Sequence, residues 1–132
     1  MSPDEIAVLE ANSAFYRAFA ARDLPAMEEL WARRAPVACI HPGWDALRGR
    51  KRVMESWQGI LAGDAPAISC TFASAHVLGE AAYVVCRERI DGGPPVVATN
   101  VYVREGSAWK LCHHQAGMVA EVREEAPPGA RA

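Results

Sequence analysis

The side chains able to do chemistry concentrate in the second half of the chain. Tyr83-Val84-Val85-Cys86-Arg87-Glu88-Arg89-Ile90 reads as a strand, and neighbouring strand residues point to opposite faces. Tyr83, Val85, Arg87 and Arg89 then share one face, and Val84, Cys86, Glu88 and Ile90 the other. Two arginines are expensive to bury, so theirs is the wet face and Glu88 points inward. An inward carboxylate is either paired or held partly protonated by desolvation, and general bases show both conditions. A buried structural ion pair would place a glutamate there equally well.

His113-His114 cannot chelate one metal ion together, because consecutive strand residues face opposite ways. One enters the interior and the other does not. Pairing the two final strands around Glu105-Gly106-Ser107-Ala108 sets Arg104 opposite Trp109, Tyr102 opposite Leu111 and Asn100 opposite His113, with Gln115 near Ala98. Asn100, Tyr102, His113 and Gln115 would form one polar and aromatic patch, and a slip of one residue would regroup them. A histidine bonded to Asn100 for purely structural reasons fits the same pattern.

His41-Pro42-Gly43-Trp44 is a turn, and its tryptophan can lie across an opening as a lid or a plug. Tyr16 and Asn12 bring polar tips to the apolar face of the first helix. The expected pocket, at the low end of the usual few hundred Å3, lies between that helix, the 41–44 turn and the sheet. Its lining would include Tyr16, Trp44, Trp57, Glu88, Asn100 and His113. No G-x-S-x-G elbow, P-loop or G-x-G-x-x-G is present, so hydrolase, nucleotide and dinucleotide chemistry lack support. His41, Glu88 and one of His113 and His114 could in principle meet at a metal, but isolated histidines beside an apolar pocket usually serve as neutral hydrogen-bonders. The reading calls for neither metal nor cofactor.

The elements that must hold these groups follow from periodicity. Ser2-Pro3-Asp4-Glu5 is a capping box with proline at the first helical position. Val8, Leu9, Asn12, Phe15, Tyr16 and Phe19 then mark one face of a helix over about 3–21. Asp23 caps a short second helix presenting Met27, Leu30 and Trp31. Val37 to Ile40 is a short strand, and Val53, Met54, Trp57, Ile60 and Leu61 mark a third helix. From residue 66 the period becomes two, with runs over about 67–78, 81–91, 95–104 and 108–118. Links this short permit only antiparallel neighbours. Helices followed by a meander make an α+β domain, three helices packed on a curved, mostly antiparallel sheet in a cone. Residues 1–120 form the domain, and the charged, proline-broken 121–132 reads as a disordered tail.

Composition excludes much else. In 132 residues, 51% are apolar and 23% charged, with a formal charge of −2 and a pI near 6.1. No basic face is available for nucleic acid. No apolar run approaches the ~18 residues of a membrane span, and the acidic start is unlike a signal peptide. A cytoplasmic protein is the expectation. Cys39, Cys70, Cys86 and Cys112 are widely spaced among apolar neighbours and read as reduced core thiols. Thr71, Ala73, Ala75, Val77, Tyr83 and Val85 would leave the second face of the sheet apolar enough to be covered by a symmetry mate, making a homodimer.

The chain resembles the nuclear transport factor 2-like superfamily, specifically its SnoaL-like branch. The resemblance rests on Phe15-Tyr16-Arg17-Ala18-Phe19 with Arg22-Asp23, on His41-Pro42-Gly43-Trp44 and Gly49-Arg50, and on Thr99-Asn100-Val101-Tyr102 and Trp109-Lys110-Leu111-Cys112-His113-His114-Gln115. It spans about residues 4–119 and implies a sheet closing over a small-molecule pocket. Enzymes of the superfamily typically abstract a proton next to a carbonyl while a donor stabilises the enolate. Carried onto this chain, Glu88 or His113 would be the base, and Tyr16, Asn100 or Tyr102 the donor. His41, Trp44, Trp57 and Gln115 would help to hold the ligand. No aspartate here matches the catalytic aspartate of the polyketide cyclases. The superfamily also holds non-catalytic binding and association domains, which remain the alternative.

Overall fold

The computed structural model describes residues 1–64 and 66–123. The capping box forms as the sequence requires: Ser2 Oγ accepts from the Glu5 amide at 3.1 Å and Glu5 Oε1 from the Ser2 amide at 3.0 Å. It starts α1, Pro3–Ala21, which ends at Arg22 in the left-handed region. Asp23 caps α2, Leu24–Leu30, and α3 spans Arg50–Ala62. The Arg50 guanidinium donates to the carbonyls of Glu28, Trp31 and Ala32, tying the start of α3 to the end of α2.

Six strands make one sheet: β1 (Ala38–Ile40), β2 (Leu47–Arg48), β3 (Ile68–Leu78), β4 (Ala81–Ile90), β5 (Val96–Glu105) and β6 (Ala108–Met118). Their order is β2-β1-β6-β5-β4-β3. The β3–β6 meander is antiparallel, and β1 joins it in parallel beside β6. The two-residue β2 has no period to announce it. The core between helices and sheet holds Val8, Phe15, Met27, Trp31, Val53, Trp57, Val84 and Leu111. Three helices packed on a mostly antiparallel sheet is the expected α+β arrangement.

Two bulges decide which side chains enter that core. On β6, Tyr102 faces Leu111 and Arg104 faces Trp109 as the turn predicts. Cys112 is then an extra residue, and the next pairs are Val101 with His113 and Asn100 with His114. The expected pairing of Asn100 with His113 is therefore corrected by one position. On β3 the register shifts between Thr71 and Ser74, where Phe72 takes a positive φ of 54°. That shift turns Ala73, Ala75 and Val77 toward the core, opposite Val84 and Ala82, rather than onto the outer face.

All four cysteines are free; Cys39 and Cys86 are buried, Cys70 and Cys112 half-buried. After β6 the chain continues to Arg123, whose carbonyl accepts from Arg87. Of the stretch expected to be a disordered tail, residues 124–132 lie outside the described residues.

Candidate functional site

Alternation along β4 buries Ala82, Val84, Cys86 and Glu88. Glu88 is 4% exposed. Its Oε2 accepts a 2.7 Å hydrogen bond from the Tyr16 hydroxyl of α1 and lies 3.8 Å from His114 Nε2 of β6. Burial raises the carboxyl above its ordinary value, against the lowering effect of the Tyr16 hydrogen bond. Desolvation dominates because no cation is bonded to the group.

The rest of the polar cluster comes from α1 and β5. Asn100 Nδ2 donates to Asn12 Oδ1 at 2.8 Å and to the Tyr16 oxygen at 3.2 Å. Tyr102 donates to Asn12 Oδ1 at 2.8 Å, and Asn12 Nδ2 reaches Cys70 Sγ at 3.6 Å. Asn100 Oδ1 stands 2.5 Å from His114 Nδ1. His114 is fully enclosed, and desolvation, helped by the nearby His41 and His113, pulls its pKa down to about 3. Burial pulls His41 down to about 4. Both imidazoles are therefore neutral at pH 7, and burial also holds the Tyr16 phenol protonated. The site is a set of neutral donors and acceptors around one carboxyl, an arrangement suited to moving single protons rather than to holding an ion.

Two ends of this cluster differ. Toward the 41–44 turn, Trp57 is fully buried with the rings of Phe15, Phe19 and His41 at 5.5, 5.3 and 4.9 Å. Its indole Nε1 has no hydrogen-bond partner among the described residues. Trp44, half-exposed, meets His41 edge-on at 4.8 Å, and His41 Nε2 bonds Ser56 Oγ at 3.0 Å. Aromatic rings thus pack the region where the pocket was expected. At the other end, a cleft of about 440 Å3 is lined by Thr71 and Phe72 of the β3 bulge, by Glu88 to Ile90 and by the 91–95 turn. Of the expected pocket residues, only Glu88 lines it. Bulges commonly re-aim side chains beside active sites, and Phe72 of this one lines the same cleft as Glu88.

Glu88, Tyr16, Asn100 and Tyr102 meet as the sequence implied, with His41, Trp57 and Trp44 adjoining them in a chain of rings. His113 and Gln115 do not join them. Both are on the outer face, paired with Val101 and Thr99, because the extra residue at Cys112 reverses the alternation beyond it. His114 occupies the interior position expected of His113. Asn12, which is completely buried, is the other member that site reasoning underweighted; its polar tip on an apolar helix face was the available signal. Among the described residues no group of three or more His, Cys, Asp or Glu could hold a metal ion.

Helices laid across one face of a mostly antiparallel sheet are the cystatin-like arrangement of an α+β domain. Solved structures agree: a cystatin-like fold protein from Burkholderia xenovorans superposes with a TM-score of 0.78 at 16% identity, over 92% of this chain and 96% of that one. The chain belongs to the SnoaL-like domain family, whose model matches residues 8–121. A candidate dehydratase of the nuclear transport factor 2-like family from Streptomyces avermitilis is 36% identical over 89% of this chain and 97% of that one, with a TM-score of 0.80. A candidate calcium/calmodulin-dependent protein kinase type II association domain from Thiobacillus denitrificans is 32% identical over 83% and 92%, with a TM-score of 0.74. No curated protein matches. No helix among the described residues is long and apolar enough to cross a membrane.

Proposed function

We propose that this domain binds a small carbonyl compound and moves a proton at the carbon next to the carbonyl, as an isomerase, cyclase or dehydratase does. The observation that carries the reading is Glu88: a buried carboxyl at the wall of a 440 Å3 cleft, bonded to a phenol and facing an imidazole nitrogen. The ionised carboxylate takes the α-proton, oriented by the Tyr16 hydroxyl that donates to its Oε2. In a dehydration the Glu88–His114 pair would also return a proton to the departing hydroxyl. The 36% identity to a candidate dehydratase supports this class of reaction.

Incubating the protein in D2O with a panel of small ketones and β-hydroxyketones, and reading deuterium at the α-carbon by NMR, tests it. Exchange that Glu88→Gln abolishes is the expected result. Binding without exchange, at equal affinity in both proteins, would overturn it and leave a ligand binder. That second reading is favoured by the 32% identity to a candidate association domain. Either reading accommodates a cytoplasmic homodimer. The outer face exposes Val85 at 37% and Val97 at 42%, with Tyr83 and Val101 in the same sheet surface.

A further inference from the structure

The hydrogen-bond directions in the cluster decide where the proton on His114 sits. Tyr16 has one hydroxyl proton, and it goes to Glu88 Oε2. The Tyr16 oxygen can then only accept, from Cys86 Sγ at 3.4 Å and from Asn100, which must present Nδ2 to it. The same Nδ2 meets Asn12 Oδ1, an oxygen that also accepts from Tyr102. Turning the Asn100 amide around would set two carbonyl oxygens against each other 2.8 Å apart. Asn100 therefore offers Oδ1 to His114, and Nδ1 must carry the imidazole proton. Nε2 is left bare, pointing at Glu88 Oε2 across 3.8 Å.

We propose that Asn100 is a positioning residue that holds His114 as the Nδ1–H tautomer, so that its bare Nε2 and the Glu88 carboxyl act as one proton-accepting pair. Two titratable groups that close titrate as a coupled pair rather than singly. His114 is neutral at pH 7, so a proton taken by Glu88 stays on the carboxyl, with Nε2 the acceptor that faces it. This deepens the acid–base reading and rests on it for its catalytic meaning. The tautomer itself does not depend on a substrate.

The groups facing His114 are Glu88 from β4, Phe15 from α1, Cys39 from the parallel β1 partner, and His41 with Trp57 across the ring cluster. His113 is its neighbour in sequence. None of the uncharged members supplies an alternative acceptor as close to Nδ1 as the 2.5 Å Asn100 oxygen.

Long-range 1H–15N NMR of histidine-labelled protein at pH 7, with the His114 signal identified by its loss in His114→Gln, reads the tautomer directly. The wild-type protein is expected to show Nδ1 protonated. Asn100→Ala removes the acceptor and should give the Nε2–H form or a mixture. Asn100→Asp keeps the acceptor, so Nδ1 stays protonated while the added charge raises the His114 pKa. A wild-type Nε2–H tautomer, or an Nδ1–H tautomer that survives Asn100→Ala, would overturn the proposal. The wild-type spectrum decides even where Asn100→Ala does not fold. A confirmed tautomer with no α-deuterium exchange would retire the enzyme reading while leaving this one standing.

Discussion

Acidifying the protein to pH 5 should destabilise it by an amount that the two buried histidines determine. His41 and His114 are 5% and 3% exposed, and burial pulls their pKa values to about 4 and about 3. Both are still neutral in the fold at pH 5, whereas the unfolded chain protonates them near the ordinary value of about 6.5. Their contribution is complete above that value and is lost as the pH falls, because the unfolded state takes up the protons. At pH 5 the unfolded chain has gained about 1.5 pH units of protonation free energy at each histidine, or about 2 kcal/mol each. About 4 kcal/mol together corresponds to a melting point lower by roughly 12 °C for a domain of this size. Glu88 opposes this. Its raised pKa means that stability is lost as the pH rises through the native value and regained on acidification. Glu88→Gln removes that compensation while the glutamine oxygen still accepts from Tyr16. Melting curves recorded by circular dichroism from pH 7.5 to 5 should therefore fall more steeply for Glu88→Gln than for wild type. The variant should also be the more stable of the two at pH 7.5. A melting point for Glu88→Gln that stays level from pH 7.5 to 5 would refute the neutral burial of the histidines.

Arg50→Ala removes three hydrogen bonds to main-chain carbonyls at the end of α2 and should cost about 2–4 kcal/mol, measured as a lower urea midpoint. Arg50→Lys should recover only part of this, because an ammonium cannot span carbonyls that a planar guanidinium bridges. An unchanged midpoint in Arg50→Ala would show that the three bonds merely replace water. Light scattering at tens of micromolar should give twice the 14.3 kDa chain mass, and Val97→Lys on the outer face should lower it. A monomer mass for the wild type removes the dimer.

How much was legible depended on whether a signal was local. The α1 boundaries, Pro3 to Ala21, follow from a capping box and an apolar face that lie within the helix itself. The four strands follow from a period of two and from turns carrying Gly79, Gly92 and Gly106, all at positive φ. Glu88 was placed inward because two arginines share the opposite face of its own strand, and β4 has no bulge against β5 to disturb that count. Tyr16 reached the site by the same local logic.

His113, Gln115 and the Ala73–Val77 stretch were placed on the wrong faces for one reason. A bulge inserts a single residue without any change of composition, and every side chain beyond it changes sides. Cys112 and Phe72 look like ordinary strand residues; only the partner strands reveal that β6 and β3 each carry one residue too many there. The position of the cleft was likewise invisible, since it exists where the β3 bulge and the 91–95 turn come together beside Glu88. Sequence by itself determined the three helices, β1, the four meander strands, their order and the inward carboxylate, because those depend on spacing along one segment. Tertiary structure alone chose His114 over His113 and set the cleft at the bulged end of the sheet, because both depend on register between strands.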